Sequence, residues 1–237
     1  MLRNLAAQPR RPLEQYRCEV LENEALRKAF DRARDAGRPV EDASWEDRLA
    51  RLSGIVTVYY ALLREIAPAV VVETGTAAGG YTALALAALE ENERGRLVSI
   101  DIPPVAGRLT MGNLTLSDGE IGYFVPEEYR GRWEYRKGDA KVLLPRVMLE
   151  EQVDVFIHDS LHTRTHMLFE YSVARALMGE GKLIVSDDIL WNDAFQTFLL
   201  AHGLEGFAPY GTPNTGVCVN RFDAFERKIG LGVWKDE

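Results

Sequence analysis

The sequence contains few of the residues that build disulfide frameworks or sulfur-ligated metal sites. Among its 237 residues there are two cysteines, Cys18 and Cys218, which stand near opposite ends of the chain. Two cysteines at that separation exclude a disulfide framework and a CxxC metal site. Free thiols are usual for proteins of reducing compartments, so we expect a cytoplasmic protein.

Long apolar runs and clusters of basic residues are also missing. No run approaches the roughly 20 apolar residues of a membrane span, and the N-terminal stretch MLRNLAAQPRRPLEQ lacks the apolar segment of a secretory signal. The 28 Lys and Arg residues are outnumbered by 36 Asp and Glu residues, which gives a net charge of −8. Because binding to a phosphate backbone depends on clustered cations, we expect neither a membrane nor a nucleic-acid partner.

Helical periodicity characterises the first 67 residues. The stretch LEQYRCEVLENEALRKAFDRARDAG places apolar residues at helical spacing and ends at Gly37 and Pro39. The SWED motif that follows is a capping-box pattern, with Ser44 as the N-cap and Asp47 three residues later, and the helix that it opens should stop at Pro68. These patterns predict a helical extension over residues 1–67.

Short apolar runs alternate with helical stretches from residue 68 onward. Runs that are apolar through their middle are typical of parallel strands buried on both faces; the five runs are AVVVE, RLVSID, WEYRKGD, VDVFIHD and KLIVSDD. Helices are predicted over residues 79–91, 140–149, 164–178 and 191–202. The tail GFAPYGTPNTGVCVNRF is typical of an antiparallel hairpin at a sheet edge. The predicted fold class is α/β, with a doubly wound and mostly parallel sheet over residues 68–237.

Residues 102–130 fit neither a helical nor a strand period. The segment is rich in Gly and Pro, and it follows the carboxyl end of the second predicted strand, where open α/β sheets bind their ligands. We interpret it as a lid on the substrate side, with Tyr123 and Phe124 as candidate contacts. The alternative is an ordered surface insertion without a role in ligand binding.

The stretch VVETGTAAGGYT has the layout of a strand, a tight turn and a helix that hold a nucleotide, but not the GxGxxG spacing of a dinucleotide site. Glu73 at the strand end would repel a diphosphate and favour a cationic ammonium or sulfonium group. Asp101, at the end of the next strand, stands where a carboxylate accepts both hydroxyls of a ribose. These features favour S-adenosylmethionine, which has a ribose and a cationic amino acid but no diphosphate. The alternatives are that the glycines only form a tight turn and that Asp101 is a plain turn residue.

Five motifs in order make the chain similar to class I S-adenosylmethionine-dependent methyltransferases, and most of all to the family-24 small-molecule methyltransferases. The motifs are VVETGTAAGGYT, GRLVSIDIP, RWEYRKGDAKVLLP, VDVFIHDSLHT and GKLIVSDD, and they extend roughly over residues 48–221. The resemblance implies a seven-stranded, Rossmann-like sheet. It also implies that Glu73 and Gly75 line the methionine end of the cofactor, together with Thr76 and Gly79 of the same turn, and that Asp101 holds the ribose.

The same resemblance places the adenine ring beside Asp139 and Ala140 of the KGDA motif. The alternative for Asp139 is that it only caps the helix that follows. His158, inside the end of the fourth strand, is assigned to the cofactor side or to the core.

Three aspartates follow the fourth and fifth predicted strands. In a 3-2-1-4-5 order these strands are neighbours, about 4.8 Å apart, so Asp159, Asp187 and Asp188 should meet at one edge of the sheet. Carboxylates that share a small volume repel one another unless a proton or a cation neutralises them, and Mg²⁺ is the hard cation that fits oxygen ligands. Metal-dependent enzymes such as catechol O-methyltransferase have a similar arrangement. The alternative is that Asp188 caps the helix near Trp191 and that Asp159 contacts the substrate without a metal.

His162 stands where enzymes of the catechol type have a lysine base. A neutral imidazole can accept a hydroxyl proton near neutral pH, so we interpret His162 as the general base, with Asp159 as its catalytic partner. Two alternatives stay open: His162 only orients the substrate, or a metal-bound hydroxyl needs no dedicated base. Trp191 is the aromatic residue that we expect at the border of the substrate.

The sequence therefore predicts an O-methyltransferase that uses S-adenosylmethionine and Mg²⁺. Its substrate is expected to be a small hydroxylated molecule, such as a sugar, a glycosylated natural product or a phenol. The alternatives are a metal-independent or N-methylating enzyme of the same fold and a non-catalytic protein that binds the cofactor. The N-terminal helices are a candidate surface for a homodimer.

Overall fold

Helices are the first elements in the described part of the chain, as its periodicity predicts. The computed structural model describes residues 9–38, 40, 44–51, 56–102 and 116–223. The first described elements are α1 (Leu13–Glu22) and α2 (Glu24–Asp35). The single helix predicted here is interrupted at Asn23, whose side-chain oxygen accepts a hydrogen bond of 3.0 Å from the Leu26 backbone N–H and so caps α2. Asn is among the best N-cap residues because its side chain satisfies a free N–H of the first turn.

The capping box predicted at Ser44 is present. The Ser44 hydroxyl accepts a hydrogen bond of 3.0 Å from the Asp47 backbone N–H, and it donates one of 2.8 Å to the Asp47 carboxylate. The cap starts α3 (Trp45–Arg51), and a π-helical segment (Val56–Leu62) leads into α4 (Leu63–Ile66). Ala67, in a left-handed conformation with φ of 48°, and Pro68 then end the helical extension where the sequence predicts its end.

Seven strands form one mixed sheet in the order β3-β2-β1-β4-β5-β7-β6. The strands are β1 (Val70–Thr74), β2 (Arg96–Asp101), β3 (Trp133–Lys137), β4 (Val155–His158), β5 (Leu183–Ser186), β6 (Gly206–Phe207) and β7 (Gly216–Val219). The first five are parallel, and β7 pairs antiparallel with both β5 and β6. The predicted fold class, strand order and C-terminal hairpin are therefore confirmed.

Four helices connect the strands, close to their predicted positions. They are α5 (Gly80–Glu91), α6 (Ala140–Glu150), α7 (Arg164–Leu177) and α8 (Ala194–Ala201). The last begins three residues later than predicted, because residues after β5 first form a turn in which the Trp191 N–H bonds to the Asp188 carbonyl. Asp188 therefore does not cap this helix, and Asp193 occupies the N-cap position.

Each face of the sheet is covered by its own apolar cluster. One cluster joins the N-terminal helices to α5 and includes Tyr16, Leu26, Phe30 and Leu84. The other joins α6, α7 and α8 and contains Phe156 of β4. Burying a Leu or Phe side chain contributes about 1.5–3 kcal/mol, so these layers hold the carboxyl edge of the sheet in place. No helix among the described residues is long and apolar enough to cross a membrane.

The second half of the predicted lid lies against the turn after β1. Residues 103–115 lie outside the described residues. From residue 116 onward the segment contains a 3-10 helix, Asp118–Glu120, and the start of a second, Glu127–Arg132, which runs past residue 130 to β3. The Gly122 N–H bonds to the Ala77 carbonyl at 2.8 Å, and the Phe124 N–H bonds to the Ala78 carbonyl at 2.9 Å. The segment is therefore ordered by contact with the glycine turn itself.

Candidate active site

The glycine turn makes a close approach to the end of β4. Gly75 has a φ of +87°, and a Cβ atom at this position would overlap the backbone of Asp159. Its N–H bonds to the Ile100 carbonyl of β2 at 2.9 Å. The turn, the end of β2 and the residue after β4 therefore meet at one point, and only glycine allows that contact.

Glu73 is buried beneath this turn. The residue is 1% exposed, and its Oε1 accepts hydrogen bonds of 2.6 Å from the Thr82 and Ser99 hydroxyls. Burial raises the pKa of Glu73 to about 7, although both hydrogen bonds act in the opposite direction. The acid that the sequence places near the cofactor is thus held by two hydroxyls, and near neutral pH it exchanges between its charged and neutral forms.

Asp101 closes the turn from the end of β2. Its Oδ2 accepts hydrogen bonds from the backbone N–H groups of Thr76 at 2.9 Å and Ala77 at 2.8 Å. The pKa of Asp101 is raised by burial, against the effect of these N–H groups. The Thr76 hydroxyl is buried and has no hydrogen-bond partner among the described residues.

Asp139 and Ala140 stand at the start of α6. The Asp139 Oδ1 accepts a hydrogen bond of 2.8 Å from the Lys141 N–H, so Asp139 is the N-cap of the helix, as its alternative interpretation requires. Ala140 is 7% exposed. A role of either residue beside an adenine ring stays a prediction.

The three aspartates lie at the ends of β4 and β5. The Asp187 N–H bonds to the His158 carbonyl at 2.9 Å, which extends the β4–β5 pairing to the aspartates. Burial, and then the charges of Asp187, Glu73 and Asp188, raise the pKa of Asp159 well above its ordinary range. Burial and the charge of Asp188 raise the pKa of Asp187 to about 6. The repulsion that the sequence predicts between these carboxylates is therefore present.

Two residues before β7 support the aspartates, and sequence reasoning did not identify them. The Asn214 amide donates a hydrogen bond of 2.5 Å to the Asp188 Oδ1, and the Thr215 hydroxyl donates one of 3.3 Å to the Asp187 Oδ1. Asp188 has a φ of 51°, a conformation that costs about 1–2 kcal/mol for a residue with a Cβ atom. The GTPNTG turn thus helps to fix Asp188 in a strained conformation.

His162 lies between two of the aspartates. Its Nε2 is 3.9 Å from the Asp159 Oδ1, and its Nδ1 is 3.7 Å from the Asp188 Oδ2. Burial and then the neighbouring His158 lower the pKa of His162. The Trp191 ring is 5.7 Å from the His162 ring and is 70% exposed, so an aromatic surface borders this histidine.

The arrangement does not contain a preformed metal cluster within the described residues. No three side chains of the types His, Cys, Asp and Glu are grouped closely enough there to hold a metal ion. Asp159, Asp187 and Asp188 supply the right kind of oxygen donor. Ion binding would nevertheless require these carboxylates to move closer together.

His158 belongs to a buried network that the sequence analysis did not predict. Its Nδ1 is 2.6 Å from the Glu170 Oε2, and both side chains are fully buried. Glu170 also accepts a hydrogen bond from His166, four residues earlier on α7. An acid at the buried face of a predicted helix, one turn after a histidine, was the available signal for this network.

Two tyrosines, Tyr59 and Tyr81, lie near enough to the aspartates for the charges of Asp159 and Asp187 to act on their hydroxyls. Tyr59 of the π-helical segment is 1% exposed, and its hydroxyl has no hydrogen-bond partner among the described residues. Its ring is 5.0 Å from that of Tyr81. Burial, and then the charges of Asp159 and Asp187, raise the pKa of Tyr59 well above its ordinary value, so it stays a neutral donor near the aspartates.

Comparisons with known proteins agree with this architecture. The model of methyltransferase family 24, described as a methyltransferase domain, matches residues 72–189, about half of the chain. This match begins inside β1 and ends just after the paired aspartates, so it spans the glycine turn and both later strand ends. A search of curated proteins finds no significant match.

Solved structures of methyltransferases share the fold. Cofactor-bound Rv0187 from MTB is 17% identical, with a TM-score of 0.56 over 85% of this chain and 92% of that chain. The O-methyltransferase from Bacillus cereus, in complex with SAH, is 17% identical, with a TM-score of 0.53 over 86% and 96%. TomG from Streptomyces achromogenes, an O-methyltransferase involved in tomaymycin synthesis and solved with SAM, is 19% identical, with a TM-score of 0.54 over 84% and 91%. The chain belongs to methyltransferase family 24 and is an S-adenosylmethionine-dependent methyltransferase.

Proposed function

We propose that the protein transfers the methyl group of S-adenosylmethionine to a hydroxyl of a small molecule, which is a sugar, a glycosylated natural product or a phenol. The observation that carries the proposal is the position of His162 between Asp159 and Asp188 at the edge of the sheet. A base flanked by carboxylates suits an acceptor that must lose a proton. The structural neighbours from Bacillus cereus and Streptomyces achromogenes are described as O-methyltransferases, which supports the same type of reaction.

The glycine turn is the proposed cofactor site. Bound S-adenosylmethionine supplies a methyl group on a cationic sulfur. The Thr76 hydroxyl, which has no hydrogen-bond partner among the described residues, and the buried acid Glu73 fit the polar methionine end. Gly75 and Gly79 leave two positions of the turn without a side chain. Asp101 is the proposed ribose ligand. Asp139, Ala140 and His158 complete the proposed set.

The proposed acceptor site lies next to the aspartates. His162 has a lowered pKa and a buried Nε2 without a hydrogen-bond partner in the described part of the chain, so a neutral imidazole is available to take a proton from a hydroxyl. Asp188, whose Oδ2 lies 3.7 Å from the His162 Nδ1, stabilises the imidazolium that forms. Trp191 borders the acceptor. Because methyl transfer is a direct displacement, holding the oxygen in line with the methyl group and excluding water supply much of the rate.

Assistance by Mg²⁺ is part of the proposal. Asp159, Asp187 and Asp188 would hold the ion, whose charge would lower the pKa of the acceptor hydroxyl. The raised pKa values of Asp159 and Asp187 fit a site that gains from a cation. The second candidate is metal-independent O-methylation, which is favoured by the position of His162 between the carboxylates.

The test is a methyl-transfer assay on a panel of acceptors. The purified protein is incubated with S-adenosylmethionine, Mg²⁺ and one acceptor at a time. The acceptors are catechol, a free sugar, a glycosylated phenol and an aromatic amine, and the products are identified by mass spectrometry. We expect methyl ethers, and a turnover that falls about 100-fold or more in His162→Ala. Asp193→Asn, which changes an exposed aspartate on the same side of the sheet, is the matched control. Methylation of the amine alone would contradict the proposal.

Chelation separates the two candidates. EDTA should abolish turnover if the ion is required, and Mg²⁺ should restore it. Asp159→Asn and Asp188→Asn should lower turnover far more than the affinity for S-adenosylhomocysteine. Full activity after thorough chelation would leave the metal-independent reaction as the function.

A further inference from the structure

One buried carboxylate connects several parts of the site through hydrogen bonds. Glu170 on α7 is fully buried, which is costly for a charge unless it is paired and hydrogen-bonded. It accepts four hydrogen bonds, from the Thr74 hydroxyl at 2.6 Å, the His158 Nδ1 at 2.6 Å, the Ser160 hydroxyl at 3.0 Å and the His166 Nε2 at 2.8 Å. Burial alone would raise the pKa of Glu170, but the bonds from His158 and His166 outweigh it and lower the pKa to about 2. Four donors that face two oxygens favour the charged form of this side chain.

The four donors come from separate elements of the site. Thr74 is the last residue of β1 and precedes Gly75, His158 is the last residue of β4, and Ser160 belongs to the loop that carries Asp159 and His162. Thr74 and His158 bond to Oε2, whereas Ser160 and His166 bond to Oε1. Oε2 thus ties the ends of β1 and β4 to α7, and Oε1 ties the loop after β4 to the same helix.

The four contacts on the two oxygens of Glu170 indicate which ring nitrogens carry protons. An ionised carboxylate only accepts hydrogen bonds, so the Nδ1 of His158 and the Nε2 of His166 must both be N–H donors. The opposite nitrogens, His158 Nε2 and His166 Nδ1, are buried and have no partner within the described residues. The His158 ring lies 5.2 Å from the His162 ring in an edge-on arrangement. The orientation of His158 therefore bears directly on the surroundings of His162.

We infer that Glu170 is a positioning residue of the methyl-transfer site, which fixes the ring of His158 and the loop that bears Asp159 and His162. The inference deepens the proposed function, because the reaction it serves is proton removal by His162. Glu170 does not contact the cofactor turn through its own atoms. It acts by holding the ends of β1 and β4 and the following loop at fixed distances from α7, so that His162 lies between its two aspartates.

The variant Glu170→Gln tests this arrangement without changing the shape of the side chain. A carboxamide has one accepting oxygen and one NH₂ group. In either orientation, the NH₂ group faces one imidazole and one hydroxyl that can no longer donate to it, so each of these two hydrogen bonds must break or reverse its direction. Glu24→Gln on α2 is the control, because that carboxylate is exposed and far from the network.

The first measurement is histidine NMR on the full-length protein with S-adenosylhomocysteine bound. In the wild type we expect protons on the His158 Nδ1 and the His166 Nε2 that exchange slowly with water. In Glu170→Gln at least one of these signals should move or disappear, and in Glu24→Gln both should persist. A wild-type His158 that lacks the Nδ1 proton, or a Glu170→Gln variant with both signals unchanged, would overturn the inference.

The second measurement separates positioning from a purely structural role. With an acceptor from the panel, Glu170→Gln should lower kcat at least 30-fold, while the KM for S-adenosylmethionine stays within about threefold and Glu170→Asp recovers part of kcat. Equal losses in kcat and in cofactor affinity would contradict a positioning role. The NMR result does not depend on the acceptor, so a protein that methylates no hydroxyl contradicts the proposed function while leaving the histidine measurement decisive for Glu170.

Discussion

One buried acid, Glu73 beneath the glycine turn, makes the stability of the folded protein depend on pH. Glu73 is held by the Thr82 and Ser99 hydroxyls, and burial raises its pKa from 4.5 to about 7. The folded protein therefore holds the proton more tightly than the unfolded chain does. The stability that this proton contributes is complete below about pH 4.5 and is lost as the pH rises through 7.

The variant Glu73→Gln should remove this dependence, because a carboxamide keeps an acceptor for the hydroxyls and never ionises. Between pH 5 and pH 8, the free energy of unfolding in urea should fall more for the wild type than for the variant, and the difference should be on the order of 3 kcal/mol. Glu24→Gln, an exposed acid on α2, should follow the wild type. Parallel curves for the wild type and Glu73→Gln would show that Glu73 ionises in the folded protein as it does in water.

The residues of the site differ in how far sequence could predict them. The apolar runs of β4 and β5 are easy to recognise in the sequence. The position of the three aspartates that follow them, Asp159, Asp187 and Asp188, could therefore be predicted from the strand order alone. The proposed role of Glu170 could not be predicted in this way, because it depends on contacts between β1, β4 and α7 that form only in the folded chain. The support of Asp188 by Asn214 was hidden for the same reason, since β7 returns to the sheet from the far end of the chain.

At the scale of elements, periodicity predicts the strands and crossover helices well, and the gaps between them less well. The split between α1 and α2 depends on a single cap at Asn23 in an otherwise continuous helical pattern. The segment after β2 shows neither helical nor strand periodicity in its sequence. Its described part is ordered through backbone hydrogen bonds to Ala77 and Ala78, which do not depend on side-chain identity and so leave little trace in the sequence.

That contact makes the segment a support of the glycine turn, and Gly122 is the residue that allows it. Gly122 has a φ of +70°, and a Cβ atom there would overlap the Trp133 ring. Gly122→Ala should therefore displace the segment from the turn. We expect the Kd for S-adenosylhomocysteine, measured by calorimetry, to rise at least tenfold, which corresponds to about 1.4 kcal/mol.

Gly119→Ala provides the matched control within the same segment, because a Cβ atom there meets nothing within 4 Å. Its Kd should stay within about twofold of the wild type. If both variants bind the ligand as the wild type does, the segment is a surface insertion that does not support the cofactor turn.

At the scale of the whole molecule, the helical extension and the sheet share one apolar layer. Phe30 of α2 and Leu84 of α5 belong to the same buried cluster, and the Tyr129 hydroxyl donates a hydrogen bond of 2.9 Å to the Asn23 side chain. The Trp45 indole also donates a hydrogen bond of 3.2 Å to the Leu21 carbonyl, which joins α3 to α1. The sequence periodicity therefore changes near residue 67, but the apolar core contains residues from both sides of that boundary.

Shared packing has a measurable consequence for cooperativity. Amides of α2 and α5 should exchange with solvent deuterium through the same global opening, with equal free energies. S-adenosylhomocysteine at 100 times its Kd should raise both by about 2.7 kcal/mol, because the ligand binds only the folded state, whereas NAD at the same concentration should raise neither. Amides of residues 201–203, which are exposed at the end of α8, are the internal control for local fraying. If α2 exchanged at a much lower free energy and did not respond to the ligand, residues 1–67 would unfold as a separate unit, and the cofactor site would not depend on them.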